Sequence, residues 1–273
     1  MQVGKMKIIF IIFIIVVLGA IPLEALASLH KEVVEYKHGD AVLEGYLVYD
    51  DAVKGIRPGI LVVHDWMGLG PYAKRRADQL AGLGYVAFAV DMYGKGIRPK
   101  NTDEASAQAT IYRQDRQLMR ARVKAGLDVL LKQPLVDVKR VAAIGYCFGG
   151  GTVLELARSG ADIAGVVSFH GNLDTPHPED AKNIKAKVLV LHGANDPFVP
   201  QKDVDVFWEA MKQTDVDWQL VLYSGAVHAF TIVESGNDPS TGAAYNEKAD
   251  KRSWKAMQIF FGEIFGLKTA DNK

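Results

Sequence analysis

A change of periodicity around one cysteine constrains this chain most. Arg140–Ile144 is a short apolar run that passes through Gly145-Tyr146-Cys147-Phe148-Gly149-Gly150-Gly151 into a helical pattern. The spacing Gly-x-Cys-x-Gly is that of a nucleophile elbow, a strained strand-to-helix turn that lifts a reactive side chain out at the end of a central sheet. Glycines two residues to either side leave room where the backbone doubles back. A helix starting near Phe148 would set its positive end against Cys147 and favour a thiolate. Read in isolation, the same residues also fit a packed thiol in a glycine-rich turn. The rest of the chain decides between the two.

Other short apolar runs bounded by turn residues flank this one: Ile60–Val63, Tyr85–Val90, Ile163–Phe169, Lys187–Leu191 and Trp218–Tyr223. Ile60–Val63 and Tyr85–Val90 are continuous runs of the kind that becomes a strand buried on both faces, and the others read as strands. Helical patterns alternate with them: one opened by Pro71, a long one from Thr102 to Lys132 stopped by Pro134, one from Pro200 to Lys212 and one from Glu247 to Phe265. Glu32–Lys37 and Leu43–Tyr49, joined by His38-Gly39-Asp40, read as a hairpin, and Arg57-Pro58-Gly59 as a turn. With no internal repeat and no linker, residues 28–273 are expected to form a single α/β domain, doubly wound around a mostly parallel sheet. Ligands of such sheets bind beyond the carboxyl ends of the strands.

Lys+Arg and Asp+Glu number 32 each, and no long basic run occurs, which argues against nucleic acid or an anionic membrane surface as partner. In residues 1–27, Lys5 and Lys7 precede an apolar run from Ile8 to Leu18, and Ala25-Leu26-Ala27 stands ahead of Ser28. That pattern predicts a signal peptide cleaved after Ala27 and a periplasmic or secreted protein. The apolar run is shorter than the ~20 residues of a spanning helix, so no stable membrane anchor is expected after cleavage. A single cysteine cannot form an internal disulfide, which makes its place in the elbow more telling. A monomer is expected.

The loops that follow strand ends carry His64-Asp65-Trp66, Tyr93–Lys95, Cys147, His170, Asn195-Asp196 and His228. A nucleophile needs a base and the base an orienting acid. Asp196, in Gly193-Ala194-Asn195-Asp196-Pro197, and His228, in Ala226-Val227-His228-Ala229-Phe230, supply them in the chain order of an α/β-hydrolase. Asn195 cannot bear the charge that stabilises an imidazolium, so Asp196 is the acid. Taken singly, Asp196 is also a plausible turn residue and His228 a loop histidine. The histidines at 64, 170, 177, 192 and 228 lack metal-ligand spacing, and neither metal nor cofactor is expected.

With these residues in place the chain resembles the dienelactone hydrolase family from about Val33 to Phe265. Gly145–Gly150, Asp91-Met92-Tyr93-Gly94, Gly193–Pro197 and Ala226–Phe230 carry the resemblance. It implies the α/β-hydrolase fold, a Cys147-Asp196-His228 triad acting on small-molecule esters or lactones without cofactor, and an oxyanion hole from the backbone N–H groups of Trp66 and Phe148. Such donors supply a large share of catalysis. Three positions depart from the family. Asp65 stands where a thiol-activating Glu is usual, and Lys95 and Ile232 stand where arginines hold a substrate carboxylate. Lys95 could still hold one as a point charge, without arginine's bidentate fork. His170, at a strand end on the same side, is read either as lining the pocket or as a structural residue, and the loop around Tyr245 and Lys248 as solvated or lid-like. The leading function is therefore an exported ester or lactone hydrolase. A non-catalytic small-molecule binding protein on the same fold is the alternative from another class, and a redox thiol protein ranks last for want of a resolving cysteine. If His228 is the base, the rate should fall on acidification as its imidazole charges.

Overall fold

The computed structural model describes residues 28–267; the signal-peptide expectation for residues 1–27 lies outside them. Eight strands form one sheet: β1 (Leu29–His38), β2 (Ala41–Asp50), β3 (Arg57–Val63), β4 (Val86–Val90), β5 (Val136–Tyr146), β6 (Gly165–Phe169), β7 (Lys187–Gly193) and β8 (Trp218–Tyr223). Their order is β1-β2-β4-β3-β5-β6-β7-β8, antiparallel at β1–β2 and β2–β4 and parallel from β4 to β8. Six α-helices accompany them: α1 (Pro71–Gly82), α2 (Thr102–Gln114), α3 (Arg116–Leu131), α4 (Phe148–Arg158), α5 (Gln201–Lys212) and α6 (Glu247–Ile264).

Every residue of β3, β4 and β6 is buried, because helices cover both faces of the sheet. Successive side chains along a strand point to opposite faces, and the core divides accordingly. Leu61 and Val63 of β3 pack with Met119, Val123 and Leu127 of α3 and Val153 of α4. Ile60 and Val62 pack on the other face with Leu80 of α1 and Phe260 and Phe261 of α6. The outer strands β1 and β8 keep exposed positions, as edges do. Among the described residues no helix is long and apolar enough to cross a membrane.

The structure corrects the sequence reading in two places. The helix expected over Thr102–Lys132 is two helices, broken at Asp115, whose carboxylate accepts from Leu118 N at 2.8 Å and caps α3. An aspartate there competes with the helical backbone and starts a new helix instead. Arg57-Pro58-Gly59 is not a turn but the start of β3, where the register with β5 shifts between Pro58 and Gly59. Proline is admitted at a strand's first residues or at such an irregularity.

Candidate active site

At the carboxyl end of β5 the chain turns through Cys147 at φ 54°, ψ −114°, and α4 begins at the next residue. The amide of Cys147 donates to Phe169 O at 3.0 Å, and its carbonyl accepts from Gly150 N at 3.0 Å. The glycines are steric necessities. A Cβ on Gly145 would stand 2.0 Å from the carbonyl oxygen of Gly149, and one on Gly149 would stand 2.3 Å from Val63 O and 2.5 Å from His64 O. The elbow is thus pressed against the end of β3, and Cys147 is held 7% exposed at the start of a helix.

The acid lies in the turn after β7. Asp196 Oδ1 accepts from Phe198 N at 2.9 Å, and Oδ2 accepts from His228 Nδ1 at 2.8 Å. The Asp196 side chain is 0% exposed, so the ionic hydrogen bond is screened little by solvent. His228 follows β8 on a segment tied to the loop before α6 by His228 N→Gly242 O at 3.1 Å and Ala244 N→His228 O at 3.0 Å. Burial disfavours the imidazolium, but the Cys147 side chain and the Asp196 carboxylate, by charge and hydrogen bonding, push the His228 pKa up to about 10. The net effect of these neighbours is to favour the charged imidazolium of His228. This differs from the expectation of a histidine that charges on mild acidification.

The loop after β3 forms the facing wall. Asp65 Oδ1 accepts from Met67 N at 2.7 Å, and Asp65 O accepts from Gly68 N at 3.2 Å, so a tight turn carries Trp66. Tyr93 Oη donates to Trp66 O at 3.0 Å and fixes that peptide from the β4 side. His64 is buried; its Nε2 accepts from Met92 N at 3.2 Å, which leaves Nδ1 to donate to Asp65 O at 2.5 Å. Burial lowers its pKa to about 4, so it stays neutral as a strut between β3 and β4. The amides of Trp66 and Phe148 donate to no acceptor among the described residues, as anion-binding donors require. Burial raises the Asp65 pKa to about 6 against the opposing Met67 N–H bond, and the charge of His228 also bears on it.

Cys147, Asp196, His228, Trp66, Phe148, Asp65 and His170 all lie at the carboxyl-end loops of the sheet. Lys95 does not join them: its ammonium pairs with Glu35 of β1, both half exposed, because the chain after β4 hydrogen-bonds back to the hairpin through Lys95 N→Val42 O. His170 is fully buried rather than lining an open pocket, with Nε2 at 2.7 Å from Thr231 Oγ1. One neighbour went unread in the sequence. The Phe198 ring, 55% exposed, stands edge-on to His228 at 5.5 Å between centroids. Its only advance signal was its place two residues after Asp196.

The family model for the dienelactone hydrolase family matches residues 43–265. The chain belongs to the dienelactone hydrolase family. A solved dienelactone hydrolase-like promiscuous phosphotriesterase from metagenomic libraries is 39% identical, with a TM-score of 0.82 over 86% of this chain and 98% of that one. Protein usf of Aquifex pyrophilus is 30% identical over 237 residues, covering 85% of this chain and 98% of its own. A relative from Aquifex aeolicus with the provisional name carboxymethylenebutenolidase is 28% identical, covering 84% and 97%. Membership in the dienelactone hydrolase family makes the chain a hydrolase of ester or lactone bonds.

Proposed function

We propose that this hydrolase is exported and cleaves its substrate through a Cys147–His228–Asp196 triad and an acyl-enzyme. The observation that carries the mechanism is the buried 2.8 Å bond from His228 Nδ1 to Asp196 Oδ2, on an imidazole whose pKa the neighbouring Cys147 side chain also raises. Cys147 Sγ attacks the carbonyl carbon, and the carbonyl electron pair moves onto oxygen, where the Trp66 and Phe148 amides receive it. Collapse breaks the C–O bond, and His228 gives its proton to the leaving oxygen, which stays tethered when the substrate is a lactone. Water then attacks the thioester while His228 takes the water's proton; the second collapse returns the thiolate and the imidazolium.

Replacing Cys147 by Ala should abolish hydrolysis of small aryl esters and lactones while leaving the melting temperature within a few degrees; retained turnover overturns the scheme. Export is tested alongside. The protein recovered from the compartment outside the inner membrane should begin at Ser28.

A further inference from the structure

Behind His228 lies a buried chain of side chains that none of the steps above uses. Arg76 of α1, 7% exposed, donates from Nε to Tyr72 Oη at 3.2 Å. Tyr72 Oη lies 2.6 Å from Thr231 Oγ1, and Thr231 Oγ1 lies 2.7 Å from His170 Nε2. Arg76 also donates through Nη2 to Thr231 O at 2.9 Å and to Asp250 Oδ1 of α6 at 2.5 Å. The His170 ring in turn meets the His228 ring edge to face, 5.4 Å between centroids at 65°.

The direction of the chain follows from what each group can do. A guanidinium only donates. Tyr72 Oη therefore accepts from Arg76, and its own proton has Thr231 Oγ1 as the acceptor in reach. Thr231 then accepts from Tyr72, and its proton points to His170 Nε2. This arrangement leaves one group unmatched, His170 Nδ1, which has no partner among the described residues. The reverse tautomer, with the proton on Nε2, strands the Thr231 hydroxyl proton as well, and buried unmatched groups are costly. His170 is thereby fixed neutral with Nε2 as acceptor. It faces the imidazolium of His228 without opposing its charge, although Arg76, His192 and His228 all act to keep it uncharged as burial does.

Thr231 sits three residues after His228, on the segment that bears it. We propose that His170 is a positioning residue, aimed by a one-way hydrogen-bond chain from Arg76 through Tyr72 and Thr231, and that the chain holds the His228 ring in line with Cys147. The proposal rests on the triad reading above, and it makes the Thr231 hydroxyl, not its bulk, the element that matters.

Two substitutions separate hydroxyl from bulk. Thr231→Val keeps shape and removes the hydroxyl; Thr231→Ser keeps the hydroxyl and removes a methyl. Aryl-ester hydrolysis by Thr231→Val should lose about tenfold in kcat, the worth of one buried hydrogen bond, with KM changed less than about twofold. Thr231→Ser should stay within about twofold of the parent in both. Iodoacetamide reports Cys147 alone, since the chain has one cysteine; its alkylation rate at neutral pH should fall in Thr231→Val and hold in Thr231→Ser. If valine behaves as the parent, if serine is as impaired as valine, or if KM moves in place of kcat, the proposal is overturned. Should Thr231→Val not fold, Tyr72→Phe cuts the chain one link upstream. It should lower kcat severalfold, and parental kcat in that variant overturns the proposal. Cys147→Ala in the same assay keeps the two readings apart: its retained activity sinks the triad, whereas its inactivity beside indistinguishable Thr231 variants sinks only the chain.

Discussion

Left-handed backbone at open turns and left-handed backbone beside the candidate site are built differently in this molecule. At Gly39, Gly55 and Gly84, with φ of 59°, 82° and 91°, an added Cβ would meet nothing within 4 Å. These are solvent-facing turns where glycine removes the conformational cost. Among the described residues, the non-glycine positions of this kind are Cys147, His170 and Ala229, at φ 54°, 38° and 55°. All three border the proposed triad: Cys147, the proposed nucleophile; His170, packed on His228; and Ala229, the residue after His228. A side chain in this conformation costs roughly 1–3 kcal/mol. The cost is concentrated beside the candidate site, where the surrounding packing holds the backbone in place.

Five substitutions would break or sharpen that contrast. Asp196→Asn should lower kcat by about 10³–10⁴-fold, because the neutral amide no longer stabilises the imidazolium. The same variant should move the alkaline limb of the rate profile, expected near the His228 pKa of about 10 in the parent, toward lower pH. A limb that stays in place would remove Asp196 from its role.

Gly149→Ala should cost more than about 3 kcal/mol in chemical denaturation, since the clash is with backbone oxygens that cannot yield. Gly39→Ala, strained but unobstructed, should cost about 1–2 kcal/mol. Equal costs at the two sites would erase the distinction.

For Asp65 the sign follows from a pKa of about 6 in the fold against an ordinary value of 3.8. The folded state favours the protonated acid, so its contribution is full below about 3.8 and is lost as pH rises through about 6. Asp65→Asn should therefore raise stability at neutral pH by roughly 1–3 kcal/mol and leave it unchanged near pH 3. Melting curves at the two pH values read this directly.

The smallest effect concerns Ala229. Ala229→Gly should stabilise by up to about 1 kcal/mol, relieving the backbone without loss of a functional group. A clear loss of stability would mean that its methyl group, 6% exposed, is worth more in packing than its strain costs.

How much of this could be read beforehand depended on whether the signal was local. Strands announce themselves through local β-rich runs, so Trp218–Tyr223 was bounded correctly even at the sheet's edge, and the candidate triad residues fell at strand ends. The elbow was legible because its Gly-x-Cys-x-Gly spacing lies within five consecutive residues, although Gly149 also answers to the distant carbonyls of Val63 and His64. The break at Asp115 was also local, but helical periodicity on both sides masked a cap that only the backbone geometry reveals. Lys95 was misplaced because adjacency to Tyr93 says nothing about where a long side chain finds its partner, here Glu35 on the edge hairpin. The links from Tyr72 and Arg76 to Thr231 join residues 159 and 155 apart in the chain, and no local pattern encodes such a meeting.

The contact between Gly149 and the carbonyls of Val63 and His64 has a kinetic consequence. The elbow can hold its shape only once β3 lies beside β5, and that pairing joins segments far apart in sequence, with β4 between them in the chain and on the other side of β3 in the sheet. Pairings of such long range form slowly. The turn that presents Cys147 at the end of β5 is therefore a late property of the finished sheet and not of the local chain alone.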